Sequence, residues 1–211
     1  MTFVTALRWC FAVLVASLCA VSLGSVRTTA QDVGTEAERE SGRGLYLRNC
    51  AQCHGENGDG AGYATPHLSP RPREFTMGNF KVRSTPNGQL PTHQDLVNII
   101  RRGMPYTSMP AWPDLSDQEV SDLAYYLTTF SPDFSDAEPQ PVPLPSAPAT
   151  TPESIEVGKT LYEETGCGEC HGTLGRGDGP SAPTLEDDLG LPIRAADLTQ
   201  SWTFRAGSSR E

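Results

Sequence analysis

The chain has 211 residues, a formal net charge of −10 at pH 7 and 37% hydrophobic residues. So acidic a chain is a poor binder of nucleic acid, because the phosphate backbone attracts basic surfaces. The acidic charge fits a protein partner with a basic docking face, or serves solubility alone. No second long apolar run follows the one at the N-terminus, which predicts a soluble body.

Residues 1–30 have the features of an export signal. Arg8 is the only charge before an apolar run from Trp9 to Leu23, and Thr28-Thr29-Ala30 offers a cleavage site of small residues. The run falls short of the ~20 residues that a spanning helix needs, which favours cleavage. An uncleaved anchor over residues 9–26 is the alternative. We therefore expect a periplasmic protein that contacts the membrane only if this segment is retained.

The next element is a predicted helix that leads into a cysteine motif. Glu36 to Arg48 is expected to be helical, with Leu45 and Tyr46 turned inward. It is followed by Cys50-Ala51-Gln52-Cys53-His54, and the pattern returns as Cys167-Gly168-Glu169-Cys170-His171. Composition alone would give about 0.003 such matches in a chain of this kind, so two copies are a specific signal.

The pattern Cys-x-x-Cys-His is typical of covalent attachment of c-type haem. Two thiols at this spacing can bond to the two vinyl groups of one porphyrin, and the adjoining imidazole then becomes the proximal iron ligand. A four-cysteine zinc site and a redox dithiol are the alternatives. Neither explains the histidine after both pairs, or the glycine that follows each histidine (Gly55, Gly172). We therefore expect two covalently bound haem c groups.

The rest of the first unit contains a loop and two further helices. Residues 61–91 are rich in proline and are predicted to be irregular. A short helix is expected over Thr92–Arg101 with Gly103 ending it, and a last helix from Ser116 to about Phe130. Ser116 and Glu119 form a capping box. The apolar stripes of the two helices are Leu96, Val97 and Ile100, and Val120, Leu123, Ala124 and Leu127.

Residues 131–152 contain seven prolines and are predicted to be a semi-rigid spacer without a packed core. After this spacer the sequence pattern of the first unit is repeated. Gly42-Arg43-Gly44-Leu45-Tyr46 corresponds to Gly158-Lys159-Thr160-Leu161-Tyr162, and Gly58-Asp59-Gly60 to Gly177-Asp178-Gly179. We predict a signal over 1–30, a first domain over 31–130, a linker over 131–152 and a second, incomplete domain over 153–211.

These residues carry a family resemblance. The first unit is similar throughout to a class I cytochrome c domain, and the second is similar from Glu153 to about Arg205. As a pair they resemble tandem dihaem cytochromes c and the cytochrome subunits of larger respiratory complexes. The resemblance implies an all-α cytochrome c fold in two tandem small helical domains, the second truncated. It also implies an iron held between the motif histidine and a methionine, cycling between ferrous and ferric states.

Several side chains are candidates for the distal ligand of the first haem. The family places its methionine just before the last helix, which matches Met109-Pro110-Ala111-Trp112. Met104 is expected to pack as core, and His67 and His93 are expected to be surface residues. We therefore predict His54 and Met109 as the ligands of the first iron. Trp112 and Tyr46 are candidates for the walls of the haem pocket.

The second unit departs from the family pattern. His171 is its predicted proximal ligand, but no Met, His or Lys follows it in the sequence. Phe80-Lys81-Val82-Arg83 aligns loosely with Trp202-Thr203-Phe204-Arg205. In that register the distal ligand and the closing helix of the second unit are missing. Three interpretations follow: the sequence is a truncated product of a longer gene, or the second iron is five-coordinate and open to a small ligand, or a partner protein or another segment supplies the ligand.

The sequence predicts an electron carrier and not an enzyme. A six-coordinate iron has no open site for substrate, so the protein would pass single electrons by outer-sphere transfer to redox protein partners. It would act as a shuttle or as the cytochrome subunit of an oxidoreductase. The alternative is a haem enzyme or gas-binding sensor with an open second iron, for which the acidic run Glu186-Asp187-Asp188 is a candidate acid/base group.

Overall fold

The computed structural model describes residues 32–105, 107–187 and 190–201. These residues form six α-helices, which we number α1 (Glu36–Asn49), α2 (Ala51–His54), α3 (His93–Arg102), α4 (Asp117–Thr128), α5 (Pro152–Glu164) and α6 (Gly168–His171). Short 3-10 turns lie at Thr65–His67, Pro132–Ser135 and Ala182–Thr184. The described ranges contain no β-strand, only an isolated bridge between Glu186 and Pro192. The predicted all-α fold class is confirmed.

Some predictions concern residues outside the described ranges. They are the export signal or anchor in residues 1–30, Asp188 of the acidic run, and the alignment of Trp202-Thr203-Phe204-Arg205. Among the helices that the structure describes, none combines the length and the apolarity that crossing a bilayer demands.

The four long helices begin with the same local device. At each start a hydroxyl accepts a hydrogen bond from the backbone N–H three residues on, and the side chain of that third residue accepts from the N–H of the cap. The expected pair Ser116 and Glu119 forms one of these boxes, with the Glu119 carboxylate 2.8 Å from the Ser116 nitrogen. The others are Thr35–Glu38, Thr92–Asp95 and Thr151–Ser154. Local sequence thus sets where each helix starts.

The main contact of the first unit is the crossing of α1 on α4. Gly42 lies at this crossing, where a Cβ would be 2.0 Å from the carbonyl oxygen of Asp122. The next turn of α1 supplies Leu45 and Tyr46, which are 4% and 0% exposed. The ring of Tyr46 packs at centroid distances of 5.3 Å from Tyr126 and 5.1 Å from Phe130. The missing side chain at Gly42 therefore allows the aromatic seam between the helices to close.

The core of the first unit also includes part of the predicted linker. Its buried members come from α1, α3, α4 and the loop between them, and they include every residue of the predicted stripes except Val97, which is half-buried. Phe134 is 1% exposed and packs edge-on against Phe80 at 5.7 Å. The expectation that the whole of residues 131–152 lies outside a packed core is therefore wrong for its first turn. A single aromatic residue in a proline-rich segment is buried because the loop around Phe80 offers it an apolar site.

His93, at the start of α3, is packed against α4. Its Nε2 lies 3.0 Å from the Ser121 hydroxyl and its ring stacks on Tyr125 at 4.0 Å. The Tyr125 hydroxyl donates to the Asp32 carboxylate. The Nδ1 of His93 is buried and has no partner among the described residues. Desolvation lowers the pKa of His93, although the nearby Asp32 and Glu38 carboxylates oppose this shift.

The close approach at Gly42 gives a prediction about stability. In Gly42→Ala the new methyl group collides with the Asp122 carbonyl, so we expect a loss of about 1–3 kcal/mol in the free energy of unfolding. Gly158→Ala is the matched control, because a Cβ at Gly158 meets no described atom within 4 Å. That variant should be neutral or gain up to about 1 kcal/mol from helix propensity. Urea denaturation measures both, and equal effects would contradict the packing described here.

The packing of His93 gives a prediction about pH. A histidine whose pKa is lowered by folding stays neutral in the folded protein, whereas the unfolded chain takes up a proton below its ordinary pKa of about 6.5. The free energy of unfolding should therefore fall as the pH drops from about 7.5 to about 5.5. In His93→Phe, which keeps an aromatic ring on Tyr125, this fall should be smaller. The exposed His67 serves as control, since His67→Phe should leave the pH dependence unchanged.

Candidate haem-binding sites

The first cysteine motif occupies a single helical turn. Cys50 caps the end of α1, and α2 carries Cys53 and His54. The His54 nitrogen donates to the Cys50 carbonyl at 2.9 Å, so both thiols and the imidazole are fixed on one turn. The four described cysteines form no disulfide bond with one another. Burial raises the pKa of the Cys50 thiol to about 12, with a smaller contribution from Cys53.

The backbone holds the imidazole of the first motif in one orientation. His54 Nδ1 lies 2.9 Å from the carbonyl oxygen of Arg73, and its ring stacks on Phe75 at 4.6 Å. A carbonyl oxygen can only accept, so Nδ1 carries the proton and the Nε2 lone pair remains for a ligand. Burial lowers the pKa of His54, which favours this neutral form. The thiol pair and one free imidazole nitrogen fit a c-type haem.

The second motif repeats this arrangement. Cys167 caps the start of α6, which carries Cys170 and His171. His171 Nδ1 lies 2.9 Å from the carbonyl oxygen of Ala196, so its Nε2 is likewise the nitrogen left for a ligand. The donor set of the second unit therefore also fits a c-type haem.

The residues around the two motifs correspond as well. The Tyr46 hydroxyl donates to the Gly55 carbonyl at 2.7 Å, and the Tyr162 hydroxyl donates to the Gly172 carbonyl at 2.6 Å. Gly55 and Gly172 have φ values of +78° and +77°, a region that side chains disfavour, which explains the glycine after each histidine.

A second repeated motif, which is not among the sequence predictions, supplies the carbonyl acceptors. It reads Arg-x-x-acid-apolar-Thr and comprises Arg71–Thr76 in the first unit and Arg194–Thr199 in the second. In each copy the residue before the acid accepts from the histidine, and the apolar residue donates its N–H to the glycine loop: Phe75 to Gly58 at 2.7 Å and Leu198 to Gly175 at 2.6 Å. The motif could have been recognised from the sequence, because its residues recur at the same spacing in both units.

The loop between histidine and acceptor is longer in the second unit. The histidine and its acceptor are 19 residues apart in the first unit and 25 in the second. The additional residues include the bridge between Glu186 and Pro192, where the backbone N–H of Asp187 donates to Leu191 at 2.8 Å. The backbone of Glu186 and Asp187, two members of the acidic run, is therefore hydrogen-bonded within this loop.

One cavity of about 1770 Å³ is lined by residues of both units. The first unit contributes Cys50, Cys53, His54 and Trp112, and the second contributes residues bonded to His171, namely Gly177 and Ala196. The volume exceeds the range of roughly 300–1,000 Å³ that is usual for one small-molecule site. Although the chain is acidic overall, the cavity is lined by more basic residues than acidic ones: Arg71, Arg73, Lys81, Arg176 and Arg194, against Asp178, Asp187 and Asp197. Guanidinium groups suit the carboxylates that a haem carries.

Two of the candidate distal ligands lie on the cavity wall. Met104 and Met109 both line it, and the Met104 nitrogen donates to the Met109 carbonyl at 3.1 Å. The Thr107 hydroxyl closes the turn between them by donating to the Met104 carbonyl at 2.7 Å. His67 is exposed and His93 is packed on Tyr125, and neither is among the lining residues. Of the two candidates for the walls of the haem pocket, Trp112 lines the cavity, whereas Tyr46 is packed between α1 and α4 against Tyr126 and Phe130.

The described ranges contain no cluster of three or more His, Cys, Asp or Glu side chains with the geometry of a metal-ion site.

Comparison with known families gives matches to both units. The family model of "Cytochrome C oxidase, cbb3-type, subunit III" matches residues 37–127, and the model of "Cytochrome c" matches residues 155–203. The CcoP subunit of cbb3-type cytochrome c oxidase from Helicobacter pylori is 26% identical over 172 residues, which are 80% of this chain and 45% of that protein. Cytochrome c4 from Azotobacter vinelandii is 27% identical over 143 residues, which are 63% of this chain and 58% of that protein.

A solved structure is also similar. A chain of the Kuenenia stuttgartiensis reducing HAO-like protein complex superposes with a TM-score of 0.74 and 41% sequence identity, covering 80% of this chain and 77% of that one. The present chain spans less than half the length of the CcoP relatives it matches. The two family matches and this structural likeness show that the chain belongs to the dihaem class I c-type cytochromes, which are electron-transfer proteins with covalently bound haem c.

Proposed function

We propose that the chain binds one haem c in each unit through the residues predicted from the sequence. In the first unit these are Cys50, Cys53 and His54, and in the second Cys167, Cys170 and His171. The observation that carries the proposal is the pair of histidines whose Nδ1 is bonded to a backbone carbonyl, which leaves only Nε2 for the iron. Haem c, when bound, supplies an iron that takes up and gives back one electron.

We propose Met109 as the distal ligand in the first unit. It lies in the irregular segment between α3 and α4 and on the wall of the cavity that His54 also lines. Its nitrogen donates to the Thr107 hydroxyl at 3.1 Å, which fixes the backbone from which the thioether projects. Met104 shares the wall and is the competing ligand. A thioether ligand leaves the first iron without an open position, so this unit is suited to electron transfer alone.

We propose that the protein exchanges electrons with redox proteins in the periplasm, as a shuttle or as the cytochrome subunit of a larger oxidoreductase. The relatives named CcoP and the chain of the HAO-like complex support the subunit role, since both names refer to assemblies. The net charge of −10 favours a partner with a basic docking face. The predicted export signal and the chemistry of haem attachment support the periplasmic location. The predicted domains 31–130 and 153–211 remain proposals, with residues 131–135 assigned to the first.

A haem enzyme or gas-binding sensor is the second candidate. It is favoured by one observation, namely that the described residues of the second unit beyond His171 contain no methionine or further histidine. Of the acidic run, the Asp187 carboxylate is engaged in its own loop, because its Oδ1 accepts a hydrogen bond from the backbone N–H of Leu191.

The proposed function is tested by counting haem and open iron sites in the exported protein. We expect two covalent haem groups per chain, lost one at a time in Cys53→Ala and Cys170→Ala. Carbon monoxide should bind the ferrous protein at no more than one site per chain, and that site should disappear in His171→Ala. Pyridine haemochrome spectra and carbon monoxide titration measure both quantities. A chain without covalent haem would overturn the proposal. Carbon monoxide binding at both irons would instead favour the haem enzyme or gas-binding sensor.

The choice of distal ligand is tested by two methionine variants. Met109→Ala should open the first iron to one equivalent of carbon monoxide and lower its reduction potential, because the thioether stabilises the ferrous state. Met104→Ala removes the same atoms from the same cavity wall and should change neither quantity. If the effects of the two variants are exchanged, Met104 is the ligand.

A further inference from the structure

The backbone that follows Met109 has little regular structure of its own. Residues 110–115 lie in no helix, and their regular structure is limited to one turn at residues 113–114. Pro110 and Pro113 have no backbone N–H to donate. A ligand side chain must nevertheless be held close to its productive position by the groups around it. The position of this segment therefore depends on contacts with other elements.

The side chain of Arg101, in the last turn of α3, makes such contacts. Its Nη1 donates to the carbonyl of Trp112 at 3.3 Å and also to the carbonyl of Leu115. Its Nη2 donates to the Asp117 carboxylate at 2.6 Å. One planar guanidinium, whose donors have a fixed geometry, thus joins the end of α3 to the segment after Met109 and to the first residue of α4.

α3 is a rigid base for these hydrogen bonds. Leu96 and Ile100 are 2% and 6% exposed and belong to the core of the first unit. Both side chains also line the cavity that Met109 lines. Because α3 is fixed by this packing, the reach of the Arg101 side chain determines where the carbonyls that accept from it lie.

Gly103, directly after α3, makes a second close contact with the ligand segment. A Cβ at Gly103 would lie 2.5 Å from the nitrogen of Ala111 and 2.8 Å from the carbonyl oxygen of Met109. The next residue, Met104, donates its N–H to the same Met109 carbonyl at 3.1 Å. The end of α3 therefore holds the backbone at Met109, and Arg101 holds the backbone that follows.

We infer that Arg101 is a positioning residue of the first haem site: its hydrogen bonds to the carbonyls of Trp112 and Leu115 hold the Met109 thioether at the iron. The inference rests on Met109 as the proposed distal ligand. The two carbonyls contribute more than the carboxylate of Asp117. The Asp117 side chain is fully exposed, so its ion pair is weak, whereas the bonds to the carbonyls are partly buried.

The test measures carbon monoxide binding to the ferrous, haem-loaded chain at a temperature well below that of unfolding. In Arg101→Gln the fork of donors is lost, so Met109 should leave the iron more readily. The apparent affinity of the first iron for carbon monoxide should rise at least about tenfold, the size expected for loss of a hydrogen bond from a charged donor. Asp117→Asn removes only the ion pair and should leave this affinity unchanged.

Two further variants distinguish positioning from a general effect on stability. Gly42→Ala disturbs the crossing of α1 and α4, and Gly42 does not line the cavity, so the first iron should stay closed. In a chain that already carries Met109→Ala, adding Arg101→Gln should change carbon monoxide affinity no further, because a positioning residue acts through the residue that it holds. No rise in Arg101→Gln, an equal rise in Gly42→Ala or Asp117→Asn, or a further rise in the double variant overturns the inference.

Hydrogen exchange separates this inference from the proposed function. The Met104 amide donates to the Met109 carbonyl, so its exchange rate reports on the position of the ligand segment whichever side chain binds the iron. In Arg101→Gln this amide should exchange at least about tenfold faster than in the unaltered chain. If Met109→Ala leaves the first iron closed to carbon monoxide, the proposed ligand is wrong. An unchanged exchange rate in Arg101→Gln instead overturns the positioning role.

Discussion

In each unit a tyrosine hydroxyl on the helix before the haem motif donates to the carbonyl of the glycine after the histidine, and this hydrogen bond joins the helix to the far end of the motif. In the first unit the Tyr46 hydroxyl donates at 2.7 Å from a ring that is 0% exposed. Burial raises the pKa of Tyr46, so the phenol stays protonated and remains a donor. A buried hydroxyl without a partner would cost about 1–3 kcal/mol, which makes this bond a condition for closing the seam. The packing of α1 on α4 and the position of His54 thus depend on the same side chain.

The second unit shows that the geometry of the motif does not need a complete core. Tyr162 makes the equivalent bond to Gly172 although α5 buries no residue, and His171 is held by Ala196 as His54 is held by Arg73. These contacts are hydrogen bonds from side chains to backbone carbonyls within about thirty residues of sequence, so they close at little entropic cost. The two units differ in packing, however. Leu45 and Phe75 are 4% and 7% exposed in the first unit, whereas their counterparts Leu161 and Leu198 are 52% and 40% exposed in the second. Local bonding therefore forms the site, and long-range packing stabilises it.

The sequence predicted the helices well, because their starts depend on local groups. The hydroxyl and acid of Ser116 and Glu119 sit three residues apart, and the stripe of α4 follows the helical period. Phe134 was missed because its burial depends on a distant partner, Phe80, while the surrounding prolines indicate a spacer. The sequence could not predict that the carbonyls of Arg73 and Ala196 accept hydrogen bonds from the histidines. Every residue has a carbonyl, and only the conformation of the loop determines which one lies beside the imidazole. The repeated Arg-x-x-acid-apolar-Thr segment, in contrast, was visible in the sequence.

The distribution of charge connects these sites with the proposed exchange of electrons. The chain carries a net charge of −10, yet the cavity shared by both units is lined by Arg71 and Arg194 at corresponding positions of the second repeated motif. Neither guanidinium has a hydrogen-bond or ion-pair partner among the described residues, so both are available to carboxylates bound in the cavity. Guanidinium groups paired with haem carboxylates in this way would hold the proposed haems in the cavity, whose wall also includes Asp178, Asp187 and Asp197. The negative charge outside the cavity then remains for the proposed partner with a basic docking face.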